Sequence, residues 1–570
     1  MKPARVLLFP LVAGLAWSQA VTLSQAPPTA PAAPQRYKPG ELCTIAGVVR
    51  NAVTGEPLRK ADIMLMRNDS RTPQPPSRTS TNAEGRFAMK AIEPGQYRLL
   101  VSRNGFVRTE YGARRPGGFM SGTTLNLSKG QTLDTIEFRL LPHSVITGRV
   151  TDEDGDPVMG ASVQLVSPRY YQGRKQMLPM SSAMTNDLGE YRVFGVAPGR
   201  YYLSVTGRQS SDYAVDRSAG SKPGEGYAPT YYPGTESIAS AARINVSTGR
   251  TIEGMDVTLR KTLTFRVKGK VMGVPSGLNR PVMISLSARD ENMMSAVPRM
   301  LSSASTQNGE FEISGARPGA YVLQAVYSES PNEVMSGRLA IEVTEHDLEH
   351  LTVNLSPGGE VRGSVRIEGE GSSFNARGIS VYLQPRGRLH MMGNTNVLVK
   401  ANGDFTIPNT PPDLFDVRIQ GAPPEFYVKS IRLGEIDVLE HGLDLTQSHA
   451  ASGLDILLSP TAAQLQGSVA DEKGDPVRGA AVVLRPTMTE PAALASQLLK
   501  FVSTDQNGSF RLQGITPGEY NLISFDGADM FEAQDPDLFQ EHSAAAVKLV
   551  LKDSARETKQ LKVVSLQDKP

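Results

Sequence analysis

One pattern recurs five times in this chain. A glycine is followed two residues later by an aromatic ring at Gly85 and Phe87, Gly189 and Tyr191, Gly309 and Phe311, Gly403 and Phe405, and Gly508 and Phe510. Nine residues after each glycine stands a proline, at Pro94, Pro198, Pro318, Pro412 and Pro517. Twelve after it stands a second aromatic, at Tyr97, Tyr201, Tyr321, Phe415 and Tyr520. The marker glycines lie 104, 120, 94 and 105 residues apart. That period is a whole domain and far exceeds a solenoid unit, so the 570 residues divide into separate cores.

The pattern reads as a β-hairpin. Asn402-Gly403 or Asn507-Gly508 supplies the positive φ of a tight turn, the aromatic opens a strand, and the Pro-Gly type pair opens a second turn. Phe87 and Met89, or Phe510 and Leu512, alternate with period two, as do Tyr97, Leu99 and Val101 beyond the turn. Upstream, three copies share a second element: Gly47-Val48-Val49 with Gly55-Glu56-Pro57-Leu58 and Ala61-Asp62-Ile63, and its equivalents from Gly148 and Gly467. Copies three and four keep only Gly269-Lys270-Val271 and Gly363-Ser364-Val365. A strand, polar turn and strand close each copy, as in Thr124 to Leu127 with Thr135 to Leu140. Helix is expected only around Ala492 to Phe501. The fold class is therefore all-β, a tandem array of about five seven-stranded sandwiches of immunoglobulin-like or transthyretin-like type, at 41–141, 142–261, 262–357, 358–460 and 461–570, the third and fourth diverged.

The run Gly-x-Val, Gly-x-Pro-Val-x-x-Ala-x-Val, Thr-x-x-x-Gly-x-Phe/Tyr and Pro-Gly-x-Tyr-x-Leu resembles the carboxypeptidase regulatory-like domain, a transthyretin-like sandwich appended to metallocarboxypeptidases and frequent in exported bacterial proteins. It is similar also to the starch-binding-like fold and the collagen-adhesin B repeat. The resemblance implies the fold far more than an activity.

The chain opens as an export signal: Lys2 and Arg5, an apolar run from Val6 to Trp17, and Ser18-Gln19-Ala20 as a cleavage site. That run is too short to span a bilayer, and no later stretch approaches the length, so no integral membrane segment is expected in the mature chain. Residues 21–40 form a Pro-rich linker. With 60 basic against 58 acidic residues, the chain has neither the charge of a nucleic-acid binder nor an acidic tail. Cys43 is the only cysteine, so no intrachain disulfide forms and ordinary cores must stabilise the array. Linkers of two or three residues, as at Leu141-Pro142-His143, predict an elongated array, with a radius of gyration well above the roughly 25 Å of a compact chain of this size.

Catalytic chemistry finds little to stand on. His346-Asp347-Leu348-Glu349-His350 spells a zinc motif, yet it lies between two strands, where exposed turn histidines are the expectation and no third ligand is at hand. No Gly-x-Ser-x-Gly occurs, and His143, His390, His441, His449 and His542 are scattered. Asp152-Glu153-Asp154-Gly155-Asp156 could hold calcium, but the equivalent loop of copy five has Lys473 inside it and that of copy one has no acid from Asn51 to Gly55, which favours an Asp-Gly turn. No catalytic residue, metal site or cofactor is expected.

Carbohydrate binding is the more serious specific reading. The only tryptophan, Trp17, falls in the leader, but tyrosines cluster at Tyr111, Tyr170, Tyr171, Tyr213, Tyr227, Tyr231 and Tyr232. Copy two owes its length to the stretch between Tyr201 and Arg243, where such rings supply flat contact area on an adaptable loop. Tyr227, Tyr231 and Tyr232 are the candidate ligand-binding residues, against the alternative that they pack the loop on its own sandwich. The expectation is an exported, non-catalytic binding or structural protein, in the periplasm, on the cell surface or outside the cell, whose partner is an envelope protein or polysaccharide. A polysaccharide-binding accessory protein is the alternative, and a hydrolase the third.

Overall fold

The structure, a computed structural model, describes residues 37–68, 75–113, 122–171, 174–207, 224–275, 280–289, 300–304, 308–330, 333–369, 376, 378–386, 396–448, 450–489 and 491–566. Ten sheets pair into five β-sandwiches in tandem. Each repeats one topology. In the first, the opening strand Cys43–Asn51 lies between Arg86–Ile92, antiparallel, and Thr132–Leu140, parallel. The facing sheet centres on Asp62–Arg67, which pairs with Ser77–Ser80 and Gly95–Arg103. The same three-strand frame returns with opening strands Ser144–Asp152, Lys261–Met272, Gly359–Ile367 and Ala463–Ala470.

The repeated residues make this frame. Gly47, Gly148, Gly269, Gly363 and Gly467 sit opposite Phe87, Tyr191, Phe311, Phe405 and Phe510. A Cβ at any of these glycines would stand within 1.8 to 2.3 Å of a carbonyl oxygen on the parallel strand or, at Gly148, of Met255 between two short parallel strands. Only glycine lets the two strands approach, and the aromatic of the partner strand covers the gap. Thr81, Thr185 and Thr504 are buried four residues before the turn glycines. Each hydroxyl donates to the carbonyl of Leu58, Val158 or Val477 at 2.6 to 2.7 Å and accepts from the amide of Ala61, Ala161 or Ala480. The threonine thereby ties the Gly-x-Pro loop to the turn that follows it.

The expected hairpins are absent. Arg86–Ile92 pairs in the first sheet and Gly95–Arg103 in the second, so the chain crosses the sandwich at Pro94. The closing pair does likewise: Leu125–Leu127 joins Gly95–Arg103, whereas Thr132–Leu140 joins the opening strand. Alternation along each strand is the same for a hairpin and an arch, which is why the pattern misled. The arch is pinned by its tyrosine. The hydroxyls of Tyr97, Tyr201, Tyr321 and Tyr520 donate to the carbonyls of Glu93, Ala197, Arg317 and Thr516, four residues upstream, at 2.7 to 2.9 Å. Phe415 fills the fourth copy without that bond and is fully buried.

Each sandwich has its own apolar core. Helix forms at Ala492–Leu498, as expected, and also at Met530–Ala533 and Pro536–Glu541, which cover a second cluster around Val483, Ile523 and Phe525. No described helix is long and apolar enough to cross a membrane.

The elongated array is not observed. The fifth sandwich touches the fourth through the Gly514 amide on the Pro424 carbonyl, but it also reaches back to the first and second. Asn126 of the first sandwich donates from its amide nitrogen to Gln506 Oε1 at 3.2 Å, and its carbonyl accepts from Gln506 Nε2 at 3.1 Å. Its side chain donates to Asp505 Oδ2 at 2.9 Å. Short linkers restrict each joint, yet the first and fifth sandwiches meet in space.

Candidate functional site

The insertion of the second sandwich is the longest departure from the common frame. Its described part begins with Gly224–Tyr227, which pairs antiparallel with the opening strand of the third sandwich, Tyr227 opposite Lys261 and Gly224 opposite Thr264. The second sandwich thus lends a strand to the edge of the third, and main-chain bonds join the two. Gly207 makes room for the Tyr227 ring: a Cβ there would lie 2.5 Å from ring carbon Cδ2.

Beneath this joint lies a charged cluster. Asp152 is buried at 5% side-chain exposure and accepts hydrogen bonds from the amides of Asp154 and Asp156 at 3.0 and 2.9 Å. Lys261 Nζ stands 3.2 Å from Asp152 Oδ2 and is bonded to Asp154. The Tyr227 hydroxyl donates to Asp152 Oδ2 at 3.4 Å. Burial opposes ionisation of Asp152, but the backbone amides and Lys261 prevail and hold its carboxyl below the ordinary value. Bonds to Asp154 and Asp152 raise Lys261. Burial, with Asp152 beside it, raises the Tyr227 phenol. In the loop that spells a calcium pattern, the cation against the carboxylates is an ammonium of the next sandwich. Among the described residues no group of three or more His, Cys, Asp or Glu side chains is placed to hold a metal.

The three candidate tyrosines lie in different settings. Tyr231 is buried with Val166 and Met177, and its strand Thr230–Tyr231 pairs with Gly199–Thr206. Tyr232 is half-buried on the core of the second sandwich, its amide donating to the Leu203 carbonyl at 3.0 Å and its peptide bond to Pro233 cis. Tyr227 is half-buried on the same core. Tyr213 lies outside the described residues, as does the side chain of Tyr171.

Tyr111 belongs to the contact between sandwiches one and five. It is buried edge-on to Phe138, with the Arg478 guanidinium 5.7 Å above its ring and Arg478 Nη1 donating to its hydroxyl at 3.5 Å. Beside it, a Cβ on Gly479 would stand 2.5 Å from the Gly112 carbonyl oxygen, so two backbones meet there. Between sandwiches two and five, Arg169 Nη1 lies 3.2 Å from Glu532 Oε1 and its Nη2 3.7 Å from Asp529 Oδ2, while Lys175 Nζ lies 3.0 Å from Asp537 Oδ2. These contacts escaped the sequence reading, since Asn126 and Gln506 are 380 residues apart and share no motif.

The histidine motif is split between a turn, which holds His346, and the strand Leu348–Asn354, which holds His350. Residues 344–347 turn between two strands, His346 Nε2 is 3.1 Å from Thr344 Oγ1, and Asp347 is engaged by Arg266 at 2.7 Å. His350 is exposed, with φ of 60°.

Comparison with known proteins bears on the frame. The family model of the carboxypeptidase regulatory-like domain matches residues 44–141 and 145–222, so the resemblance carried by the repeats holds for two adjacent copies. No curated protein sequence matches the chain. Among solved structures, the chain is similar to GBS52, a minor pilin of Streptococcus agalactiae, at 14% identity over 39% of this chain and 96% of that one, with a TM-score of 0.22. It is similar to a streptococcal ancillary pilin at 13% identity over 56% and 100%, with a TM-score of 0.19. BcpA, the major pilin subunit of Bacillus cereus, matches at 11% identity over 55% and 99%, with a TM-score of 0.14. At such scores the likeness says nothing of what this chain does.

Proposed function

We propose that the chain is an exported, non-catalytic binding or structural protein that presents loops from a semi-rigid array of carboxypeptidase regulatory-like sandwiches, in the periplasm, on the cell surface or outside the cell. The observation that carries this reading is where two connecting segments go. The insertion of the second sandwich adds a strand to the third, and the helical segment between Gly518–Asp526 and Val547–Leu551 covers a second core of the fifth and pairs with Arg169 and Lys175 of the second. Segments spent on joints stiffen a scaffold.

The ligand site proposed on this scaffold comprises Tyr227 and Tyr232, with Tyr231 as the buried anchor beneath their loop. Rings half-open to solvent next to glycine-bearing backbone offer flat area for a polysaccharide or an envelope protein. A glycan array probed with the full chain and with Tyr227→Ala/Tyr232→Ala tests it. Tyr231 is left in place because its loss would unpack the loop. Glycan binding that disappears in the variant, at unchanged melting temperature, supports a polysaccharide site. Equal glycan binding by both proteins removes the tyrosines from it. If neither binds, capture of an envelope protein by the parent and not by the variant becomes the deciding measurement.

A further inference from the structure

The surfaces that bring the fifth sandwich onto the first and second are joined within one chain, but nothing in their chemistry requires one chain. They are linked covalently only through the third and fourth sandwiches. The described contacts between them are side-chain bonds and close approaches, with no shared strand. Thr123 Oγ1 and Asn126 Oδ1, beside the first of these contacts, are buried without a hydrogen-bond partner among the described residues, so the fit there is incomplete. Arg169 and its partners Asp529 and Glu532 are 17%, 5% and 28% exposed, a pair screened enough from water to specify a partner.

We propose that the fifth sandwich is an exchangeable latch, and that the partner which takes its place when the ring of sandwiches opens is the fifth sandwich of a second copy of this chain. The same residues would meet in both forms: Asn126 with Asp505 and Gln506, Arg478 with Tyr111, Arg169 with Glu532 and Lys175 with Asp537. Choice between the forms is then set by concentration. Closure within a chain is favoured by the high effective concentration of tethered domains, and exchange wins as the chain concentration rises. A reciprocal exchange closes a dimer, whereas a one-way exchange leaves one free surface of each kind and extends into a fibre. The inference concerns faces other than the tyrosine loop and stands whether or not that loop binds a ligand.

Charge reversal separates the two forms in full-length chains. One variant carries Arg169→Glu and Lys175→Glu, and the other Glu532→Arg and Asp537→Arg. Asp529 is retained because it caps the Met530–Ala533 helix. Within either variant the faces repel. In a mixture, the reversed second sandwich of one chain meets the reversed fifth sandwich of the other, and the remaining two faces are native. The expected result is that each variant alone has a larger radius of gyration than the parent, and that mixing them yields a species of twice the chain mass by light scattering. A chain with all four substitutions should return to a compact monomer. The proposal is overturned if the variants stay as compact as the parent, or if they open and the mixture stays at single-chain mass.

Should either variant fail to fold, Asn126→Cys/Gln506→Cys supplies a second measurement, since the native Cys43 is buried. Oxidation should give crosslinks within the chain in dilute solution and a rising share between chains as concentration increases. Crosslinks that remain within the chain at every concentration overturn the exchange.

Discussion

The joint between sandwiches two and three and the contact of sandwich five with sandwiches one and two both restrain the same array, by different means. At the first joint a strand of one domain enters the sheet of the next, Tyr227 opposite Lys261, and the buried Asp152 seals it. At the second, Gln506 and Asn126 trade amide bonds, and charged side chains pair at partly exposed positions. A main-chain ladder needs the right backbone shape and little else, so it suits neighbours held together by the chain. Side-chain contacts need chosen residues on both faces and can be remade, which suits domains that meet only in space. The difference predicts that each joint can fail while the other holds.

The largest expected effect sets the two apart. Tyr520 is buried at 2% exposure, and its hydroxyl pins the arch of the fifth sandwich. Tyr520→Ala should cost that sandwich about 3 to 5 kcal/mol. Amide exchange should then rise across 463–566 and at the docked strand Leu125–Leu127, and remain slow at Gly224–Tyr227 and Lys261–Thr264. Faster exchange at the last two segments would show that the joints are not independent. Gly207→Val is the reciprocal test, because its side chain must displace the Tyr227 ring, a strain of about 1 to 3 kcal/mol. It should free Gly224–Tyr227 and leave Leu125–Leu127 protected.

A smaller effect is expected of Gly479→Lys. The first sandwich carries Lys60 at the equivalent position with φ of 57°, so the loop accepts lysine at a local cost of about 1 kcal/mol. The added side chain would meet the Gly112 carbonyl and separate sandwiches one and five. Solution scattering should show a larger particle while the melting of the fifth sandwich changes little. An unchanged scattering curve would mean that this approach of backbones does not hold the ends together.

How much of this was legible follows from what repeats. Gly47 opposite Phe87, the arch tyrosines and the buried threonines return in most copies, and recurrence exposed the frame even though hairpin and arch cannot be told apart by alternation. The fourth sandwich kept its frame with Phe415 and Val399 in place of tyrosine and threonine, because both sites are buried first and hydrogen-bonded second. The joints were not legible. Arg169, Lys175 and Glu532 occur once each in their roles, and a charged residue on a strand or short helix reads as a solvated face until its partner from another domain is in place. The tyrosine cluster was visible as composition, but its division between the core of the second sandwich, the joint with the third and the contact with the fifth depends on the path of the chain.

Acid should weaken the ladder joint. The Asp152 carboxyl titrates below its ordinary value in the folded chain, so the folded state binds its proton less readily than the unfolded one. Its contribution is therefore complete above the unfolded value, about 3.9, and is lost as pH falls through the folded value. Lys261 is raised, so its own contribution is intact throughout this range and changes only well above neutrality. Protonation of Asp152 removes one of the two carboxylates facing Lys261, and the joint loosens while the sandwiches on either side keep their cores. Protection factors at Gly224–Tyr227, corrected for intrinsic exchange, should hold from neutrality to about pH 4 and fall only below it, whereas those at Ile146 and Val150, on the opening strand of the second sandwich, should hold throughout. Lys261→Met should lower the same protection already at neutral pH and flatten its acid dependence. If Gly224–Tyr227 stayed protected in acid, the ladder alone would account for the joint and the buried charge cluster would be dispensable.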